Sequence, residues 1–364
     1  MARKVIEISA VQSAPGGPAG PAATANPLPL YQQVRLVSLV VVARNERRYL
    51  PNLLADINNQ DFPHQAMEVI LVDSNNGRNP LQRQAMVNFQ QKAAGFSRVL
   101  ILDNPKKTLP AGCNRALAAF YGDVFLRLDG HARIPTDFVR RVVEVMEEGH
   151  EVCGGSRSMI LFKSKPWTRT LQAAEISRFG AGASAYRHQQ KAGPVQSLFH
   201  GAYRRRVLDR VGKYDERLQR TEDNDYSQRV RAAGFEIWFD PRIHSEQLIR
   251  PTLGSLLRQK MNNGLWVGRT LWMKPQAISP LLLVPLIFLL ALIAGLVLGF
   301  TISWWPLLLL IWLYLTADLI ATILAMLQMR RPPWQAVALL GIFPLLHLSY
   351  GLGTLGGLFR GKAR

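Results

Sequence analysis

In Val124-Phe-Leu-Arg-Leu-Asp129-Gly130-His131 an apolar run ends in an acid, a glycine and a histidine. A buried strand entering a tight turn has this pattern. An Asp and a His two positions apart at a strand's end can face one bound cation, and a divalent metal there can hold a diphosphate that carboxylates alone would repel. Taken alone, the octapeptide reads better as a core strand running into an Asp-Gly turn. The order of segments around it changes that balance.

Upstream, Val37-Ser-Leu-Val-Val-Val-Ala43 reads as a buried strand. Arg44-Asn45-Glu46 follows, with Asn45 as N-cap of a helix carrying Tyr49, Leu50, Leu53, Leu54 and Ile57 on one face. Glu68-Val-Ile-Leu-Val-Asp73 is a second strand ending in an acid. A polar loop, Ser74 to Asn79, leads to a helix from Pro80, and Arg98-Val-Leu-Ile-Leu102 is a third strand. Helices are expected over Pro110–Phe120, with Asn114 on its face, and downstream over Pro135–Glu148. This alternation predicts an α/β, Rossmann-like domain with a mostly parallel sheet and helices on both faces. Ligands of such sheets sit beyond the carboxyl ends of the strands. Asp73, Asp129 and Arg44-Asn45-Glu46 occupy three such ends. No Gly-x-Gly-x-x-Gly follows the first strand and no Walker lysine loop is present, which argues against a dinucleotide enzyme or a P-loop NTPase.

Residues 152–246 read as an acceptor half. Val152-Cys-Gly-Gly-Ser156 suggests a strand with close backbone approach, and 180–197 a long, mobile loop. Thr221-Glu222-Asp223-Asn224-Asp225 opens a helix to Gly234, and Glu236 to Pro241 returns as a strand. Acids in a first helical turn suit the helix dipole, and one of them can serve as general base for a hydroxyl. Arg204, Arg205 and Arg206 can clamp a diphosphate or form a solvated face. Cys113 and Cys153 read as buried, inert thiols, and His188 and His200 as packing or surface residues.

Forty-four basic against 25 acidic side chains give the 364-residue chain a net charge of +19, suited to nucleic acid, an anionic membrane face or phosphorylated substrates. No compact basic reading helix is evident, and apolar spans are, so no nucleic-acid partner is expected. Residues 1–33 read as a disordered Pro/Gly/Ala arm with no apolar signal-peptide core. Leu281–Phe300 and Trp304–Leu327 are long enough to span a bilayer. Trp334–Phe359, with Pro344 and His347, is a third span or a re-entrant segment. Arg269, Lys274 and Arg330-Arg331 flank the first two, while Thr301-Ile-Ser between them carries no charge. The bias places the preceding domain in the cytoplasm, anchored in the inner membrane. Asp318 is expected at a helix interface near His347. Residues 249–278, with Leu253, Leu256, Leu257, Met261 and Trp266 among basic residues, read as interfacial amphipathic helix.

The ordered set Val37–Glu46, Asp73, Asp129-x-His131, Gly201-Ala-Tyr-Arg-Arg, Gly212–Glu216 and Glu222-Asp223 resembles the inverting GT-A-fold glycosyltransferases of family 2. Arg127-Leu-Asp-Gly-His131, Arg258-Gln259, Asn263-Gly264-Leu-Trp266 and the closing His347-Leu-Ser-Tyr-Gly run are similar to the succinoglycan-type exopolysaccharide enzymes. The resemblance implies a GT-A domain over 34–248 and a membrane domain over 279–360. It implies a UDP-sugar donor, with glucose as the expected sugar, a divalent metal (Mn²⁺ or Mg²⁺), and a lipid-linked saccharide acceptor at the membrane lipids. Donor contacts would come from Ala43, Asn45, Glu46, Asp73, Asn114, Arg127 and Asp129. Asp129 and His131 would hold the metal, and Asp223 would take the acceptor's proton. Arg204, Arg205, Glu222, Gln259 and Trp266 would lie on the acceptor or diphosphate side. Relatives often carry Asp-x-Asp where this chain has His131, and Asp-Gly-Ser where it has Ser74-Asn75-Asn76. The chain lacks the Gln-x-x-Arg-Trp of processive polymerases, which favours addition of one sugar. The rival readings are a polyprenyl-phosphate or lipid glycosyltransferase of the same fold, and a catalytically silent membrane scaffold.

Overall fold

The computed structural model describes residues 33–161, 164–181, 189–249, 251–329 and 334–361. The expected N-terminal arm (Gln33 excepted), residues 182–188 of the expected 180–197 loop with His188 among them, Arg330-Arg331 and the last three residues lie outside this set.

Four strands, β1 (Val37–Ala43), β2 (Met67–Asp73), β3 (Arg98–Asp103) and β4 (Val124–Asp129), alternate with α1 (Leu50–Asn58), α2 (Pro80–Lys92) and α3 (Leu109–Leu117). All seven residues of β1 and of β2 are buried, which is why they read as largely apolar runs; the polar exceptions inside them, Ser38 and Glu68, hydrogen-bond to each other. They pair in parallel, in the order β3-β2-β1-β4. The register sets Ala43 beside Asp73 and Val42 beside Asp129, so the polar strand ends are level.

Beyond β4 come β5 (Ala132–Arg133), α4 (Phe138–Glu147), β6 (Val152–Ile160), α5 (Pro166–Ile176), α6 (Arg178–Ala181) and β7 (Gly193–Pro194). They are followed by β8 (Ala202–Arg204), α7 (Arg205–Val211), α8 (Glu222–Ala232) and β9 (Trp238–Leu248). The short β8 wedges antiparallel between β4 and β6, and β6 pairs in parallel with β9. At Gly155 the sheet register shifts, and a Cβ there would fall 1.8 Å from the Ile243 carbonyl, the close approach that Gly154-Gly155 suggested. One face of the sheet packs on α1 and α4, through residues such as Leu53 and Val142. The other packs on α3, α7 and α8, through Cys113, Val207 and Tyr226.

Two local expectations are corrected. Asn45 is not an N-cap: it takes φ 61, and the Glu46 carbonyl accepts from the Tyr49 and Leu50 N–H groups before α1 starts at Leu50. The last strand is longer than Glu236–Pro241 and runs to Leu248.

α9 (Leu253–Met273) leads to three apolar helices, α10 (Val284–Thr301), α11 (Trp305–Met329) and α12 (Trp334–Phe359). All three are long and apolar enough to cross a membrane. α12 runs unbroken past Pro344, without the reversal a re-entrant segment needs. Its closing glycines serve packing. Cβ atoms added at Gly264 and Gly268 of α9 would meet the Tyr350 and Thr354 carbonyls of α12 at 2.1 and 2.2 Å. Those added at Gly353 and Gly357 would meet the Met261 and Leu265 carbonyls at 2.1 and 2.2 Å. Small residues four apart on both helices thus let the backbones touch. Asp318 is buried, with Thr322 Oγ1 donating at 3.4 Å. His347 pairs not with Asp318 but with the Tyr314 hydroxyl (2.8 Å) and the Phe179 carbonyl (2.7 Å).

Gly268→Val should therefore cost roughly 1–3 kcal/mol or more by overpacking. Gly341→Ala, whose Cβ would meet nothing within 4 Å, should be harmless. Thermal unfolding in detergent checks both.

Candidate active site

A cavity of about 580 Å³ opens at the carboxyl ends of β1 and β4 and continues to the start of the apolar helices. Glu46, Ser74, Thr108, Arg127, Asp129 and His131 line one part. Glu222 and Asp223, at the N-terminus of α8, stand beside them. Gln259 and Trp266 of α9, Leu282 and Tyr350 of α12 line the far part. α8 is fastened to α9 below the site: Thr221 Oγ1 meets Thr270 Oγ1 at 2.6 Å, both buried, and Lys274 Nζ reaches Asp225 at 2.8 Å and Asp215 at 3.1 Å.

Arg127 holds the floor together. Its Nη2 lies 3.4 Å from Asp129 Oδ1 and 3.6 Å from Glu222 Oε1. Burial pushes Asp129 up, but Arg127 together with the His200 and His131 rings pulls it further the other way, and the carboxyl ends well below the usual carboxylate range. Behind it, His200 is buried and accepts the Asp129 backbone N–H at 3.3 Å through Nε2. Burial drives its pKa down to about 3, so it acts as a neutral acceptor. Glu222 behaves oppositely. Burial, then the adjacent Asp223 carboxylate, push it up to about 8 despite Arg127, and its Oε2 is buried without a hydrogen-bond partner. Asp223 is also raised, by burial, against the pull of Arg127. The two raised carboxyls are neighbours, so they resist ionising together, and Glu222 is the more deeply buried of the two.

Among the described residues no three His, Cys, Asp or Glu side chains form a ready cation cage. A Mg²⁺-like ion, however, commonly takes only one or two protein carboxylates and fills the rest with substrate phosphate and water. Asp129 offers an ionised oxygen. His131 Nδ1 lies 3.2 Å from Glu46 Oε1, and its Nε2 lies 2.7 Å from Gln247 Nε2. A carboxylate on one ring nitrogen fixes the tautomer of a ligating histidine, and the other nitrogen here accepts from the Gln247 amide, a bond that a cation would have to replace. These residues fit a divalent cation.

Of the residues singled out in the sequence, Glu46, Arg127, Asp129, His131, Glu222, Asp223, Gln259 and Trp266 come together on this cavity. Ala43, Asn45, Asp73, Asn114, Arg204 and Arg205 do not line it. Asp73 is fully buried, and its carboxylate accepts from the Asn75 and Gly77 N–H groups and from Gln82 Nε2, so it supports the loop while Ser74 faces the cavity. Ala43 supplies its carbonyl to Ser74 N–H, and Asn45 is exposed in the turn. Asn114 clamps the Tyr214 backbone from both sides, accepting its N–H and donating to its carbonyl. The arginine clamp is corrected. Arg204 is buried, donating to the Met146 carbonyl, while Arg205 stacks on Phe120 and donates to the Gly122 carbonyl. Arg206 pairs with Glu151. The run braces strand ends because β8 is only three residues long. Arg157, Glu175 and Lys260 line the cavity without having been singled out, on three separate elements and in no local motif.

Residues 38–212 match the glycosyl transferase family 2 description, and the chain carries a domain of that family. It is a glycosyltransferase, with a GT-A, Rossmann-like catalytic domain. A Methanococcus voltae relative, dolichyl N-acetyl-alpha-D-glucosaminyl phosphate 3-beta-D-2,3-diacetamido-2,3-dideoxy-beta-D-glucuronosyltransferase, is 22% identical over 91% of this chain and 99% of its own. Succinoglycan biosynthesis protein ExoA of Rhizobium meliloti (strain 1021) is 27% identical over 62% of this chain and 67% of its own. The mannosyltransferase PcManGT of Pyrobaculum calidifontis, solved with GDP-Man and Mn²⁺, shares the fold at TM-score 0.53 and 15% identity, covering 87% of each chain.

A raised Glu222 pKa is also a statement about stability. Between its ordinary 4.5 and about 8 the folded chain holds a proton that the unfolded chain has released. Stability should therefore fall with rising pH across that window, by an amount on the order of a few kcal/mol. Glu222→Gln should remove that slope, read as thermal midpoints from pH 5 to 9.

Proposed function

We propose that this protein is a membrane-anchored, inverting glycosyltransferase that moves one sugar from a UDP-sugar to a lipid-linked saccharide in exopolysaccharide biosynthesis. Glucose is the sugar expected first. The observation that carries this reading is the continuity of one cavity from the carboxylates of β4 and α8 to Leu282 and Tyr350 of the apolar helices. A donor bound at the strand ends and an acceptor rooted in a bilayer can meet within this one cavity. The printed names of the two relatives, one acting on a dolichyl phosphate-linked sugar and one serving succinoglycan biosynthesis, support the same reading. The positive flanks of the first two spans favour a cytoplasmic catalytic domain at the inner membrane.

In this mechanism Asp223 receives the proton of the acceptor hydroxyl as that oxygen attacks the anomeric carbon. The bond from that carbon to the diphosphate oxygen breaks on the opposite face, and the electron pair leaves with the diphosphate. Protonated Glu222 leaves Asp223 as the free base of the pair and leaves Arg127 to Asp129. Asp129 and His131 would hold the divalent cation, which when bound supplies charge compensation for the leaving group.

The test uses membranes holding the full chain, a panel of UDP-sugars with GDP-mannose, and lipid-linked saccharide or polyprenyl phosphate as acceptor. Metal-dependent transfer to a lipid-extractable product is expected, and Asp223→Asn should lower kcat by roughly 10²–10⁴-fold while donor binding persists. Full activity in the mutant would move the base elsewhere. Transfer to polyprenyl phosphate alone would replace the saccharide acceptor. Burial raises Asp223, and only its ionised form accepts a proton. The rate should therefore fall as pH drops through a pKa above the ordinary carboxylate value, and Glu222→Gln should leave that limb in place.

A further inference from the structure

The far part of the cavity holds a charged pair that the transfer mechanism does not use. Lys260 of α9 and Glu175 of α5 lie 3.1 Å apart (Nζ to Oε1), with side chains only 10% and 6% exposed, and both line the cavity. A buried ion pair is a poor stabiliser, since desolvating both charges offsets their attraction. Its placement calls for another account. An ammonium has three N–H donors. Glu175 takes one of those on Lys260, which leaves two for a ligand. Arg157, buried on β6 with its guanidinium 3.9 Å above the Phe199 ring, lines the same cavity. Two cations and one carboxylate leave this part with one net positive charge.

The walls around the pair differ from those at the strand ends. Ile249, Trp266, Val267, Leu282 and Tyr350 are apolar or aromatic, and Leu282 and Tyr350 belong to the segments that enter the apolar helices. A nucleotide has no use for such walls. A molecule with a phosphate joined to a hydrocarbon tail does.

We propose that Lys260, with Glu175 as its internal counter-ion, is the seat of a phosphate ester carried by a membrane lipid: the phosphate that links the acceptor to its polyprenyl tail. This rests on the reading that the acceptor is membrane-borne. Glu175 holds Lys260 in position, and the phosphate shares the ammonium with it, gaining charge-assisted hydrogen bonds where water is excluded. Glu175 therefore competes with the ligand. Loss of Lys260 weakens phosphate binding, and loss of the Glu175 charge strengthens it. A pair that merely braced α5 against α9 would not produce opposite signs.

The experiment is equilibrium binding to the full-length protein in detergent, by displacement of a fluorescent short-chain polyprenyl phosphate. Unlabelled polyprenyl phosphate, inorganic phosphate and UDP are the competitors. No turnover is required, so a failed donor assay and a failed binding assay are separate results. Lys260→Met is expected to weaken polyprenyl phosphate binding roughly ten- to a hundredfold, the scale of a hydrogen bond to a charged group. UDP binding should change less than about twofold, and Lys260→Arg should retain most of the affinity. Glu175→Gln is expected to tighten polyprenyl phosphate several-fold. The double variant Glu175→Leu with Lys260→Met controls for folding: it should keep UDP binding and lack the tight lipid-phosphate site. Unchanged polyprenyl phosphate binding in Lys260→Met, or a parallel loss of UDP binding, would overturn the proposal. Displacement by inorganic phosphate as effective as by the lipid would overturn the lipid source.

Discussion

The charge balance around Arg127 is the constraint on which this site depends. One guanidinium, 3.4 Å from Asp129 and 3.6 Å from Glu222, lies under a cavity that also holds Asp223, Glu46 and His131. Arg127 lies against acids with opposite tendencies: Asp129 is lowered, while burial raises Glu222 and Asp223, the latter the less buried. A single cation of fixed charge, in the middle of a strand that the sheet register holds level with its neighbours, thus sets apart the two acids to which the proposed mechanism gives different work.

The second constraint is mechanical. The carboxylates of α8 are tied to α9 through Thr221–Thr270 and Lys274, and α9 lies against α12 along facing glycines. The base and the apolar helices therefore share one rigid connection, with α9 as the common wall of the cavity. That arrangement suits a reaction whose two substrates arrive from water and from lipid.

Much of this was legible in the chain. β1, β2 and most of β4 are buried, so their sequences are largely apolar, and β2 and β4 each end in an acid at the carboxyl end of the sheet. Glu222-Asp223 and Asp129-x-His131, at a helix start and a strand end, do come to one cavity. What misled was charge without context. Arg204 and Arg205 look like an anion clamp in sequence, yet their donors are spent on the carbonyls of Met146, Phe120 and Gly122. Asp73 looks like a ligand contact, yet its oxygens hold its own loop. Asn45 has a capping residue's chemistry but adopts φ 61, a choice set by the turn into α1. Arg157, Glu175 and Lys260 escaped notice because only the crossing of β6, α5 and α9 brings them to one cavity.

The central claim is a single displacement, with the base at the head of α8 and the leaving diphosphate held at the end of β4 on the other side of the sugar. The anomeric configuration of the product tests it most directly. Product formed from an α-linked UDP-sugar by the full-length protein in membranes, and read by proton NMR of the released glycan, should carry a β linkage. An α linkage would require two displacements or attack from the leaving-group face, and would contradict the assignment of Asp223 as a base acting across the sugar from Asp129.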